Sequence, residues 1–274
     1  MMNTEMSRLV NARTTRRRLI QGAGAVASGL LPMQVAAATA PLGSKTFVLV
    51  HGAWHGGWCW GPVADLLRAE GHSVFAPTLT GCGERLHLSS AETALQTHVT
   101  DLLAMLFYEG LTDVILVGHS YAGFVISQLA SQAAEQIQCL IYLDAFLPEP
   151  GQSFADLTKL DVGQMADRGR VAPMLTVEEL GIVDPAQQAF VGDRLTPHPL
   201  GALEQKVDFD AETLSAIPRV FIQSSGIFAA EAKKAASLGF LVGKINDAGH
   251  DVMLTQPAQV AEVLLSTAEG RHAA

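Results

Sequence analysis

Asp113-Val-Ile-Leu-Val-Gly-His-Ser-Tyr-Ala-Gly-Phe-Val-Ile-Ser127 changes its periodicity in the middle, and the change decides the fold. Val114 to Val117 form a short aliphatic run of the kind that reads as a strand buried on both faces. After Gly118 the apolar residues Ala122, Val125, Ile126 and Leu129 recur with helical spacing. Ser120 sits at the break. Small residues at Gly118, Ala122 and Gly123 let strand and helix approach closely, which forces the middle residue into a strained backbone and projects its hydroxyl from the C-terminal edge of a sheet. The stretch is thus a candidate nucleophile elbow with Ala122 where G-x-S-x-G has its second glycine. A strand-to-helix turn without chemistry has the same small residues, so the remaining chain must supply an oxyanion hole, a base and an acid.

The 274 residues are 49% hydrophobic and 16% charged, which suits one large α/β domain. Residues 1–40 differ in character. Thr14-Thr-Arg-Arg-Arg-Leu-Ile20 precedes an apolar run from Ala23 to Leu31 and then Ala36-Ala-Ala-Thr-Ala40. This pattern resembles a twin-arginine export signal with a small-residue cleavage site, and it predicts a periplasmic or secreted protein. The run is too short for a membrane span, so no stable membrane insertion of the mature form is expected. Residues 1–40 hold five arginines and one glutamate, so the remainder carries −13 against −9 for the whole chain. That balance argues against a nucleic-acid partner. Cys59, Cys82 and Cys139 are an odd, sparse set and read as free thiols. The histidines and cysteines lack metal-ligand spacing, so neither metal nor organic cofactor is expected.

In chain order, Thr46-Phe-Val-Leu-Val50 is the first strand. It runs into His51-Gly-Ala-Trp-His-Gly-Gly-Trp-Cys-Trp60, whose glycines leave backbone N–H groups open. In acyl transfer such a loop supplies one oxyanion donor and the residue after the nucleophile supplies the other, here Ala53 and Tyr121. His51 reads as structural, Trp58 and Trp60 as core packing, and Trp54 and His55 as candidate substrate contacts. A short helix around Val63, Leu66 and Leu67 leads to a strand at 73–76. The polar loop Pro77 to His87 follows, where Glu84 and Arg85 read as an internal ion pair. A helix is predicted from about 92 to 108, a strand over 138–144 ending in Asp144, and strands over 219–223 and 243–246. Residues about 148–217 contain short helical pieces broken by prolines, without strand-like alternation, and read as a helical cap. Asp247-Ala-Gly-His-Asp251 follows the last strand.

Strands alternating with helices imply a mostly parallel sheet of about six strands with helices on both faces. Gly52-Ala53, Ser120, Asp144 and His250 all fall at its C-terminal edge, where sites in such sheets lie. The order of oxyanion loop, serine and late histidine is that of the α/β-hydrolase fold. The motifs at 51–60, 78–85, 118–121, 142–148 and 249–251 together resemble the bacterial carboxylesterases of that superfamily, a branch that includes pyrethroid hydrolases and is related to plant methylesterases and hydroxynitrile lyases. The resemblance runs from about residue 46 to the end, leaving 41–274 as the hydrolase domain. It implies Ser120 as nucleophile and His250 as general base, acting on a small-molecule ester with a hydrophobic character suggested by the cap and the tryptophans. His119 is expected to face away from the nucleophile.

The lyases carry threonine where Gly52 stands and lysine where Asp251 stands, so ester cleavage is the favoured expectation. The same families carry an aspartate about where Ser225 stands, and this chain has none there. Asp144 is the leading substitute for the triad acid; Ser225 with a water, or a weakened site, are the alternatives, and Asp247 can simply shape a turn. A degenerate, ligand-binding hydrolase fold and a lyase or carbon-carbon hydrolase remain the competing functions.

Overall fold

The computed structural model describes residues 43–270 of the chain. The segment predicted as an export signal lies outside the described residues.

Strand β1 (Thr46–Val50) is followed by helix α1 (Gly61–Ala69), β2 (Ser73–Phe75), α2 (Leu95–Tyr108), β3 (Val114–His119), α3 (Ala122–Gln132) and β4 (Ile137–Leu143). An excursion of short helices then contains three two-residue strands, β5 (Ala166–Asp167), β6 (Arg170–Val171) and β7 (His198–Pro199). The chain returns through β8 (Arg219–Gln223), α4 (Ala229–Ser237), β9 (Leu241–Lys244) and α5 (Pro257–Ala268). The main sheet has six strands in the order β2-β1-β3-β4-β8-β9, every adjacent pair parallel.

Alternation along the central strands builds two cores. Val48, Val50, Val114 and Leu116 join the core under α2 and α3, while Phe47, Leu49, Ile115 and Val117 join the opposite one with α1 and α5. A parallel strand covered on both faces has no polar side to spare, which is why every residue of β3 is buried. The edge strand β9 is different: Leu241 and Val242 are exposed, and the strand ends two residues before the run predicted from sequence. Helix α2 begins at Leu95 instead of 92, because residues 90–93 close a turn, with Thr93 N–H donating to the Ser90 carbonyl.

The excursion from Phe154 to Ser215 contains helices, as expected, but also a small antiparallel sheet that the sequence did not suggest. Asp167 pairs with Arg170 across Arg168 and Gly169, both at positive φ (48° and 75°), which is the backbone of a two-residue type I′ hairpin. Two-residue strands are too short to leave a period in the sequence.

Candidate active site

Ser120 occupies the left-handed region at φ 55°, between β3 and α3. The close approach that holds it there is visible at two glycines. A Cβ on Gly123 would fall 2.0 Å from the Phe146 carbonyl oxygen, and one on Gly118 would fall 2.8 Å from the Ile126 side chain. The segment after β4 crosses directly over the helix start, with Phe146 N–H donating to the Ser120 carbonyl at 3.2 Å.

His250 follows β9 on a loop and is buried. Its Nδ1 lies 2.8 Å from Asp144 Oδ2. Asp144, itself at φ 44°, ends β4 and is surrounded by donors from the turn after β8. Its Oδ1 accepts from Ser224 N–H at 2.9 Å and Ser225 N–H at 3.0 Å, and its Oδ2 accepts from the Ser225 hydroxyl at 2.5 Å. Burial alone would raise the Asp144 carboxyl, but the bonds from His250 and Ser225 outweigh it and hold the group below the usual carboxylate range. Ser225, the position at which the family resemblance implies an aspartate, therefore meets Asp144 as a donor. Asp247, at φ 53°, shapes its turn and accepts from Gln256 Nε2 through its carbonyl.

The His250 ring is fixed on both faces, stacked on Phe228 (5.1 Å, 15°) and against His119 at 4.4 Å. His119 does not face away from the site, contrary to expectation. It lines the cavity and donates from Nε2 to the His250 carbonyl at 2.9 Å. Burial and the neighbouring His250 push His119 down to about 3, so its ring is neutral.

Of the two residues expected to supply oxyanion donors, Ala53 lines the cavity and Tyr121 stands at the start of α3. Among the described residues the backbone N–H of neither donates to a carbonyl. His51 is structural: it donates from Nδ1 to the Gly52 carbonyl and accepts Leu79 N–H on Nε2. His55 and Trp54 both reach the cavity, but their polar atoms are committed inside the protein. Trp54 donates its indole N–H to the Val171 carbonyl of β6 at 3.0 Å. His55 donates from Nδ1 to the Ala53 carbonyl (2.8 Å) and from Nε2 to Asp251 Oδ2 (2.9 Å). Burial disfavours a charge on His55, yet Asp251 outweighs it and raises the imidazole, while His55 in turn holds the buried Asp251 carboxyl low. The result is a buried ion pair that braces the loop carrying Ala53 against the loop carrying His250. Trp54 and His55 thus offer a ligand ring surface and no free side-chain nitrogen.

Trp60 is fully buried and Trp58 stacks on His55. The expected Glu84–Arg85 pair does not form: Arg85 pairs with Asp101 (3.3 Å) and bonds the Thr78 carbonyl and Thr80 hydroxyl, knitting the 78–85 loop to α2. Cys59, Cys82 and Cys139 are free thiols.

Ser120 and His250 open into one cavity of about 170 Å³. Its walls are almost wholly apolar: Phe146, Ile227 and Phe228 from the sheet side, and Phe154, Met174, Leu175 and Leu180 from the excursion. The segment predicted as a cap therefore supplies a large part of the walls. At the seam, Gly181 and Gly249 touch backbone to backbone, since a Cβ on Gly181 would lie 2.3 Å from Gly249 Cα.

Residues 47–263 match the model of an α/β-hydrolase family. A carbendazim hydrolyzing esterase from Nocardioides sp. (strain SG-4G) is 38% identical over 80% of this chain and 97% of its own length. Methylesterase 7 of Arabidopsis thaliana is 28% identical over 82% and 96% respectively. Among solved structures, an extracellular α/β-hydrolase from a Paenibacillus species superposes with a TM-score of 0.70 at 25% identity, covering 82% of this chain and 98% of its own. Tomato methylketone synthase I, solved with 2-tridecanone, gives 0.68 at 25% identity, covering 83% and 99%. Fold, strand order and these relatives agree: the chain belongs to the α/β-hydrolase family, in a branch whose named members include esterases.

Proposed function

We propose that this ester hydrolase is a serine esterase working through an acyl-enzyme on Ser120. The observation that carries the reading is the 2.8 Å bond from His250 Nδ1 to an Asp144 carboxylate braced by the Ser224-Ser225 turn, beside a cavity shared with Ser120. With Nδ1–H held by the carboxylate, His250 keeps Nε2 as the basic nitrogen. It takes the Ser120 proton as Oγ attacks the ester carbonyl, and the N–H groups of Ala53 and Tyr121 hold the oxyanion. Collapse of the tetrahedral intermediate expels the alcohol, protonated by His250, and water repeats the sequence on the acyl-enzyme.

The substrate class follows from the cavity. At about 170 Å³, it is smaller than the roughly 300–1,000 Å³ of drug-sized pockets, and its aromatic walls favour a flat ring. We infer a compact, apolar ester of an aromatic acid with a small alcohol half. The relative named as a methylesterase supports the small alcohol half. A fluorophosphonate probe should label the wild type and not Ser120→Ala, and an ester panel should favour small alcohols on aromatic acids; an unlabelled, folded wild type would overturn the reading.

Cyanohydrin cleavage of the hydroxynitrile-lyase kind is disfavoured by two residues. A threonine at Gly52 would press its Cβ to 2.9 Å from Ser120 Cβ, and Asp251 is turned inward onto His55 in place of a cation. Cyanohydrins should be left intact under conditions that hydrolyse the best ester. We further propose twin-arginine export of the chain; replacing Arg16 and Arg17 with lysine should retain the protein in the cytoplasm, and unchanged export would refute it.

A further inference from the structure

Next to the oxyanion residues three potential metal ligands converge from parts of the chain with no common sequence spacing. Cys82 comes from the loop after β2, His98 from the first turns of α2 and His198 from β7. All three are buried, and one ligating atom from each lies within 4.8 Å of the others. Cys82 Sγ and His198 Nδ1 are 3.4 Å apart. Two atoms bound to one ion at ordinary thiolate and imidazole distances stand about 3.6 Å apart, so this edge of a coordination polyhedron is nearly formed.

The hydrogen bonds orient the lone pairs. His98 donates from Nε2 to the Thr80 carbonyl at 2.9 Å, the outer bond that fixes the tautomer of a metal-binding histidine. Its Nδ1 lone pair is left to accept the Tyr121 hydroxyl at 3.0 Å. His198 accepts the Trp54 backbone N–H on Nδ1 at 3.3 Å, while its Nε2 is buried and has no hydrogen-bond partner among the described residues. A histidine kept for packing normally satisfies its N–H; this one engages only Nδ1, which also faces Cys82 Sγ.

Charge and coordination number select the ion. One thiolate and two neutral imidazoles neutralise a monovalent cation but leave a divalent one with an uncompensated buried charge. Thiolate and imidazole are also the donors that suit a soft d10 ion. We propose that Cys82, His98 and His198 form a three-coordinate site for Cu(I). On binding, the Cys82 thiol gives up its proton to solvent, the copper keeps its oxidation state, and Trp54 N–H and the Tyr121 hydroxyl lose their acceptors. The cluster is hydrogen-bonded without the ion, so the fold does not depend on it. Hydrolysis in the reading above uses serine, imidazole and backbone N–H alone.

The test uses the Cys59→Ala/Cys139→Ala double variant, in which Cys82 is the sole thiol. Under anaerobic conditions it should withdraw one equivalent of Cu(I) per chain from bicinchoninate. X-ray absorption should show one sulfur and two nitrogen neighbours. Adding Cys82→Ser or His198→Ala should weaken binding at least tenfold, with folding checked by circular dichroism. Binding is read without activity, so its failure is separable from failure of the esterase reading. A folded double variant that leaves copper on the chelator, equal uptake after loss of Cys82, or preference for Zn(II) over Cu(I) would each overturn the site.

Discussion

Asp144 accepts four hydrogen bonds, two of them on the oxygen that faces His250. Replacing it with asparagine keeps the shape and removes the charge that holds the imidazolium. Turnover of Asp144→Asn should fall on the order of a hundredfold or more with an unchanged circular dichroism spectrum; a loss below about threefold would exclude Asp144 as the acid. Ser225→Ala removes one donor and leaves the His250 bond, so a decrease of about tenfold or less is expected. The His55–Asp251 pair predicts a pH signature. His55 is raised above 6.5, so its contribution is full below that pH and fades as pH rises through the folded value. Asp251 is held below 3.8, so its contribution is full above that pH and fades as pH falls through the folded value. The Tm difference between wild type and His55→Gln should therefore be widest between about pH 4 and 6.5 and narrow on the alkaline side. A gap independent of pH would show a neutral His55. The sequence singled out Ser120 and His250 through local motifs, but the partner of His250 is a matter of long-range pairing: 106 positions separate Asp144 from His250, and only the sheet order β4-β8-β9 brings the ends of β4 and β9 to the same edge.

At the scale of elements, the strand-to-helix turn around Ser120 depends on Gly123 more than on Gly118. The Cβ of an alanine at 123 would meet a backbone carbonyl at 2.0 Å, whereas its nearest neighbour at 118 is a side chain able to rotate. Gly123→Ala should lose at least ~3 kcal/mol in urea unfolding, and Gly118→Ala clearly less. If the two cost the same, the crossing of Phe146 over the helix start is not what fixes the turn. Buried strands and amphipathic helices were legible because burial imposes a period. Edge strand β9 was misplaced because Leu241 and Val242 face solvent, and β5 to β7 escaped notice because two residues carry no period. The Cys82, His98 and His198 cluster was invisible for a related reason: it draws on a loop, a helix and the excursion.

For the whole molecule, the described helices include none long and apolar enough to cross a membrane. The excursion is fastened to the sheet by main-chain atoms at a few places. Thr196 N–H donates to the Trp54 carbonyl, Asp251 N–H to the Leu180 carbonyl, and Gly83 N–H to the Thr196 hydroxyl. Between them Gly181, at φ 90°, and Gly249 meet with no room for a side chain on either. Such a joint limits how the enzyme can be recombined. Excursions exchanged between relatives to change specificity will carry their own wall residues, but the incoming segment must present glycine at position 181. An alanine there pushes on the residue before His250, and under the proposed mechanism, with His250 as base, a displacement of about 1 Å costs on the order of a hundredfold in rate. A chimaera with Gly181 should turn over its new ester, and its Gly181→Ala derivative should bind that ester with similar KM and a collapsed kcat; equal kcat in the two would show that the joint tolerates a methyl group. Exchange of substrate range in this scaffold should thus be gated by a position outside the cavity wall.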